Sequence, residues 1–129
     1  MFNINHVAIS VSNMDRSVDF YKKFGFVEFK QYKDENIEIR LLKLNNILLE
    51  IFCYKNFEKM PENAKDLSTD LKILGTKHFA LSVESIEEGK KFIINNNIND
   101  NVEILIGRLG KKYFFIKDPD GILVEIIEK

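Results

Sequence analysis

Two histidines and two glutamates stand at matching positions in a chain that repeats itself. His6 and His78 are the only histidines, and each opens a near-identical hexapeptide. His6-Val7-Ala8-Ile9-Ser10-Val11 returns as His78-Phe79-Ala80-Leu81-Ser82-Val83, with four positions identical and the other two still apolar. Further along, Ile47-Leu48-Leu49-Glu50-Ile51-Phe52 returns as Ile122-Leu123-Val124-Glu125-Ile126-Ile127, so that Glu50 and Glu125 are repeat-equivalent as well. Imidazole nitrogens and carboxylate oxygens are donors for a borderline divalent cation. Two of each, brought together by pseudo-twofold symmetry, make a four-ligand site suited to Zn, Ni, Co or Fe(II), with no selection among them. Each carboxylate also stands between apolar neighbours, where an unpaired charge would carry a desolvation penalty of about several kcal/mol. Both are therefore expected to have a partner.

The elements that must position these side chains are legible from alternation. In residues 4–11, Val7, Ile9 and Val11 share one strand face, while His6, Ala8 and Ser10 share the other. The second copy places His78, Ala80 and Ser82 in the same way, and the small residues leave room beside each imidazole. Glu50 shares a face with Leu48 and Phe52, and Glu125 with Leu123 and Ile127. Each half reads β-α-β-β-β. In the first, Ser12 or Asn13 caps a helix with an apolar stripe of Met14, Val18, Tyr21 and Phe24, and Gly25 stops it. Strands follow near 26–33, 37–44 and 47–54. In the second, a strand at 77–84 leads to a helix from Ser85 to about Asn96, then to strands near 102–107, 112–117 and 122–128. Asp118-Pro119-Asp120-Gly121 is a strong turn signal between the last two. The polar stretch 55–75, with Pro61, reads as a linker. Its Leu67, Leu71 and Leu74 mark either a surface connection or a short helix or flap.

Composition narrows the function classes. With 45% of 129 residues apolar, 30% charged and a net charge of −1, the chain reads as one globular domain with no electrostatic footprint for nucleic acid or anionic lipid. No apolar run exceeds four residues, so no membrane span is expected. The N-terminal residues lack the basic and apolar regions of a secretion signal. The single cysteine, Cys53, cannot form an internal disulfide; it fits a cytoplasmic location and reads as a buried structural thiol in an apolar strand.

On these residues the chain resembles the vicinal oxygen chelate superfamily, the group of glyoxalase I, extradiol dioxygenases, methylmalonyl-CoA epimerase and the fosfomycin and bleomycin resistance proteins. The resemblance runs through essentially the whole sequence and is most specific at Lys77 to Val83 and from Asp118 through Glu125. It implies an α+β fold of two tandem β-α-β-β-β modules forming a curved mixed sheet around a metal cleft. That makes one domain over 1–129, with modules 1–54 and 76–129 and the linker 55–75. The family's four metal positions fall on His6, Glu50, His78 and Glu125, holding one divalent ion.

The chemistry implied is a glyoxalase-type lyase or isomerase acting on a small α-hydroxycarbonyl or hemithioacetal through an enediolate whose charge the ion stabilises. In enzymes similar to glyoxalase I a glutamate ligand moves the proton, which by position is Glu125 first and Glu50 second. Small bacterial glyoxalase I proteins carry an Arg four residues after the first His and an Asn four after the first Glu, both used on glutathione. Ser10 and Tyr54 stand there in this chain, so the resemblance does not extend to glutathione as carrier. Arg40, Arg108, Lys111 and Lys112 are candidate anion contacts, and Phe52, Tyr54, Tyr113 and Phe115 candidate pocket walls. Rival readings are an extradiol dioxygenase, a coenzyme A thioester epimerase, and a resistance protein that binds a drug or metabolite without chemistry. Two ligand-bearing sheets must close against another sheet: either the two halves of one chain close on each other or, as in small proteins resembling bacterial glyoxalase I, two chains exchange halves in a homodimer, so that His6 and Glu50 of one chain meet His78 and Glu125 of the other.

Overall fold

The computed structural model describes residues 1–129, which form two compact units, 1–59 and 60–129. The first holds β1 (His6–Ser10), α1 (Met14–Lys22), β2 (Val27–Lys33), β3 (Ile37–Leu44) and β4 (Ile47–Tyr54). The second holds a 3-10 turn at Glu62–Ala64, then α2 (Leu67–Asp70), β5 (Phe79–Val83), α3 (Ile86–Asn95), β6 (Leu105–Ile106), β7 (Lys112–Lys117) and β8 (Leu123–Glu128). The sheet orders are β1-β4-β3-β2 and β5-β8-β7-β6, the same topology twice. In each sheet the first strand runs parallel to the last, and the remaining pairs are antiparallel. The β-α-β-β-β modules and the α+β class are as expected, with each module closing its own four-stranded sheet.

One face of each sheet is covered by its helix. Asn13 caps α1, its side chain accepting from the Arg16 amide at 3.0 Å, and Gly25 at φ +96° turns the chain out of the helix. The helix then lays Met14, Val18 and the fully buried Tyr21 toward Leu49 and Ile51 of β4 and Leu42 of β3. Each such aliphatic side chain contributes about 1.5–3 kcal/mol on leaving water. In the second unit Ser85 caps α3 by accepting from the Glu88 amide. Ile86 and Ile93 bury with Val124 and Ile126 of β8 and Phe114 and Ile116 of β7.

Several expectations are corrected. Phe24 lies past the end of α1 and is only half-buried; Phe20 and Phe26 flank Tyr21 instead, with ring centroids 5.0 and 6.1 Å from it. The strand expected at 102–107 shrinks to Leu105–Ile106, because the chain turns at once through Gly107 and Gly110, where φ is +85°. Cys53 is half-buried rather than enclosed. The 55–75 stretch includes short helices and is tied down. Lys77 Nζ donates to the Asp70 backbone oxygen at 2.8 Å and lies 3.3 Å from the buried Asp70 carboxylate, while Lys117 reaches Asp66 at 3.6 Å. No helix is long and apolar enough to cross a membrane.

Candidate functional site

In the first unit, parallel pairing of β1 with β4 sets His6 opposite Leu48 and Ala8 opposite Glu50. His6 and Glu50 are thus diagonal neighbours on one face. Ala8, lacking bulk, lets the imidazole lean across, and His6 Nε2 comes to 3.1 Å from Glu50 Oε2. The other ring nitrogen, Nδ1, lies 2.8 Å from the side-chain oxygen of Asn5. That oxygen can accept from a protonated Nδ1, the tautomer in which Nε2 turns its lone pair toward the carboxylate and the two together are donors for a cation. A metal-ligating histidine that donates its second nitrogen to an oxygen is the usual arrangement.

The second unit repeats the geometry. Ala80 pairs with Glu125, and His78 Nε2 lies 3.1 Å from Glu125 Oε2. This pair is drier, with side-chain exposures of 21% and 17% against 42% and 25% for His6 and Glu50. The cause is Phe115, which sits opposite Glu125 in β7 and meets the His78 ring edge-on at 4.8 Å. In the first unit the equivalent place opposite Glu50 is taken by Leu41. His78 Nδ1 is buried without a hydrogen-bond partner. Within either unit the donors come as pairs; no group of three or more His, Cys, Asp or Glu side chains gathers at one point. The donor chemistry of both pairs fits a divalent ion of the borderline class.

Strand parity put both histidines and both glutamates on the correct faces. The aromatic side chains also lie on these faces: Phe52, Tyr113 and Phe115 are half-buried, and Tyr54 is exposed. The anion candidates fare differently. Arg40 shares its face with the buried Leu42, on the helix side, where Glu28, Glu38 and Asp15 surround its guanidinium at 2.5, 2.8 and 3.5 Å. Those carboxylates raise its affinity for the proton still further. It lies on the opposite side of the sheet from Glu50. Lys112 likewise points to the helix side and is held by Glu87 at 2.9 Å. Arg108 and Lys111 are exposed in the turn before β7. Asn5 and the edge-on contact of Phe115 were not singled out from sequence; the position of Asn5 directly before His6 was the one available signal.

The model of the Glyoxalase/Bleomycin resistance protein/Dioxygenase superfamily matches residues 3–126. The chain belongs to this superfamily. A glyoxalase family protein from Enterococcus faecalis shares 34% identity and a TM-score of 0.82, with 98% of this chain and 97% of that one covered. "Glyoxylase I 4" from Arabidopsis thaliana is 28% identical over 127 residues, which is 96% of this chain and 69% of that protein. A bleomycin-binding protein solved with bleomycin is similar in fold, with a TM-score of 0.65 at 15% identity, covering 100% of this chain and 99% of that one. Members of the superfamily bind small molecules and generally use a divalent metal.

Proposed function

We propose that this protein is a metal-dependent lyase or isomerase of glyoxalase type, acting on a small α-hydroxycarbonyl or hemithioacetal. The observation that carries this reading is the identical pairing of a histidine Nε2 with a glutamate Oε2 at 3.1 Å in both modules, each on a face kept open by alanine. His6, Glu50, His78 and Glu125 are then the four ligands of one divalent ion, supplied by one chain or by two copies. When bound, such an ion polarises two neighbouring substrate oxygens and lowers the cost of removing the proton between them. The residues do the rest. Glu125, in the drier setting against Phe115, takes the proton from one substrate carbon and returns it to the adjacent carbon. Phe115, opposite Glu125 in β7, shields that carboxylate, and the Tyr113 ring packs edge-on against Phe115 at 5.8 Å. Glu50 is the alternative base.

Likeness to glyoxalase I proteins supports the reaction class, and the location read from the sequence, the cytoplasm, is compatible with a small metabolite as substrate. Metal analysis of the purified protein, followed by methylglyoxal with a series of thiols, tests the proposal. A divalent metal at about one per chain and conversion of a hemithioacetal are expected. Absence of metal together with tight binding of bleomycin would replace it with a sequestering role.

A further inference from the structure

The face that carries His6 and Glu50 also carries two lysines for which the proposed reaction has no use. Reading across the sheet, Ala8 pairs with Glu50, Glu50 with Leu41, and Leu41 with Lys30. One row away, His6 pairs with Leu48 and Leu48 with Lys43. Residues in one cross-strand row project to the same face; Lys43 stands one strand from Glu50 and two from His6, and Lys30 two from Glu50 and three from His6, which puts the lysine backbones about 5–15 Å from the pair. Both ammonium groups converge on one aromatic ring: Lys30 Nζ and Lys43 Nζ each lie 5.7 Å from the centroid of Phe29. Phe29 is the extra residue of a bulge between Glu28 and Lys30. The acids nearby in sequence are committed elsewhere. Glu28 is held by Arg40 and Lys22, and Glu38 by Arg40 and Lys33.

A ring face attracts cations but does not neutralise them. Two ammonium groups without a carboxylate, beside the half-buried Leu41 and Leu48, offer charge-assisted hydrogen bonds to an anion. We propose that Lys30 and Lys43, held over Phe29, form an anion subsite for a carboxylate or phosphate group on the face of the His6–Glu50 pair, one to three strand spacings from it. The ligand class is a small organic anion. Where the proposed function holds, this anion is the far end of the substrate or of its thiol carrier; the subsite itself does not depend on that function.

The test is a titration of the full chain with inorganic phosphate and, separately, acetate at constant ionic strength, following the lysine ε-methylene and Phe29 ring signals by NMR. Saturable shifts at Lys30, Lys43 and Phe29 are expected with at least one anion. Saturation with phosphate alone identifies a phosphate-ended ligand, and with acetate alone a carboxylate-ended one. The Lys30→Gln/Lys43→Gln double variant should raise the half-saturating concentration at least about tenfold while leaving the backbone spectrum intact. His6→Ala, which removes a proposed metal ligand, should leave the anion response unchanged, so failure of the lyase reading and failure of the subsite are distinguishable. Non-saturating shifts, equal shifts at Lys55 and Lys59, or a double variant that titrates like the native chain would overturn the subsite.

Discussion

Glu50 and Glu125 are chemically alike and sit in matched geometry, so their neighbours decide which moves the proton. Glu125 faces Phe115 and Glu50 faces Leu41. Glu125→Gln keeps the shape of the side chain, so fold and bound metal should persist while turnover falls by about 10²–10⁴. His6→Ala and His78→Ala should instead lose metal, with activity following. Metal content measured beside kcat separates these phenotypes, and a fully active Glu125→Gln protein would assign the base to Glu50 if Glu50→Gln is inactive. The four candidate ligands were legible in the sequence because a repeat aligned them and alternation oriented them. Lys30, Lys43 and Phe29 were not legible as a group, because the bulge at Phe29 shifts the register of β2 and breaks the parity that locates a side chain. Arg40 was misplaced for the opposite reason: charge suggested a ligand contact, although its parity with Leu42 already pointed it to the helix.

At the scale of elements, the turn into β8 fixes where Glu125 stands. The buried Asp118 accepts from the amides of Asp120 and Ile122, both at 2.9 Å, and Gly121 takes φ +86°. Asp118→Ala strands those amides and should cost about 1–3 kcal/mol in chemical denaturation. A native midpoint would show that the turn does not hold the strand. The Arg40 cluster makes a pH-dependent contribution. Hydrogen bonding to Arg40, aided by Lys22, holds the Glu28 carboxyl below its ordinary value of 4.5. A carboxyl lowered in the folded state contributes stability that is fully present above the unfolded value and is lost as pH falls through the folded one. The Tm difference between the native chain and Glu28→Gln should therefore be largest near neutrality and close below about pH 4.5. Solvent screening limits the underlying difference in stability to about 0.2–1 kcal/mol. Strand and helix order was readable from caps, turns and alternation. The short β6 was not, since its apolar residues continue the pattern but the glycines at 107 and 110 end the pairing.

For the whole molecule, the internal repeat gives two half-sets of ligands, and the proposed dimer joins the half-set of one copy to that of another. Mixing His6→Ala with His78→Ala protein under exchange conditions discriminates. If two copies share each ion, half of the dimers are mixed and each has one intact set, restoring about a quarter of the native metal sites and activity. If one chain supplies all four ligands, mixing restores nothing. The central claim is that His6, Glu50, His78 and Glu125 hold a single divalent ion, and cobalt titration of the native chain beside the His6→Ala and His78→Ala variants tests it most directly. The account predicts one ion per chain in the native protein, and a large loss of affinity on changing either histidine. Undiminished cobalt binding in both variants would contradict it.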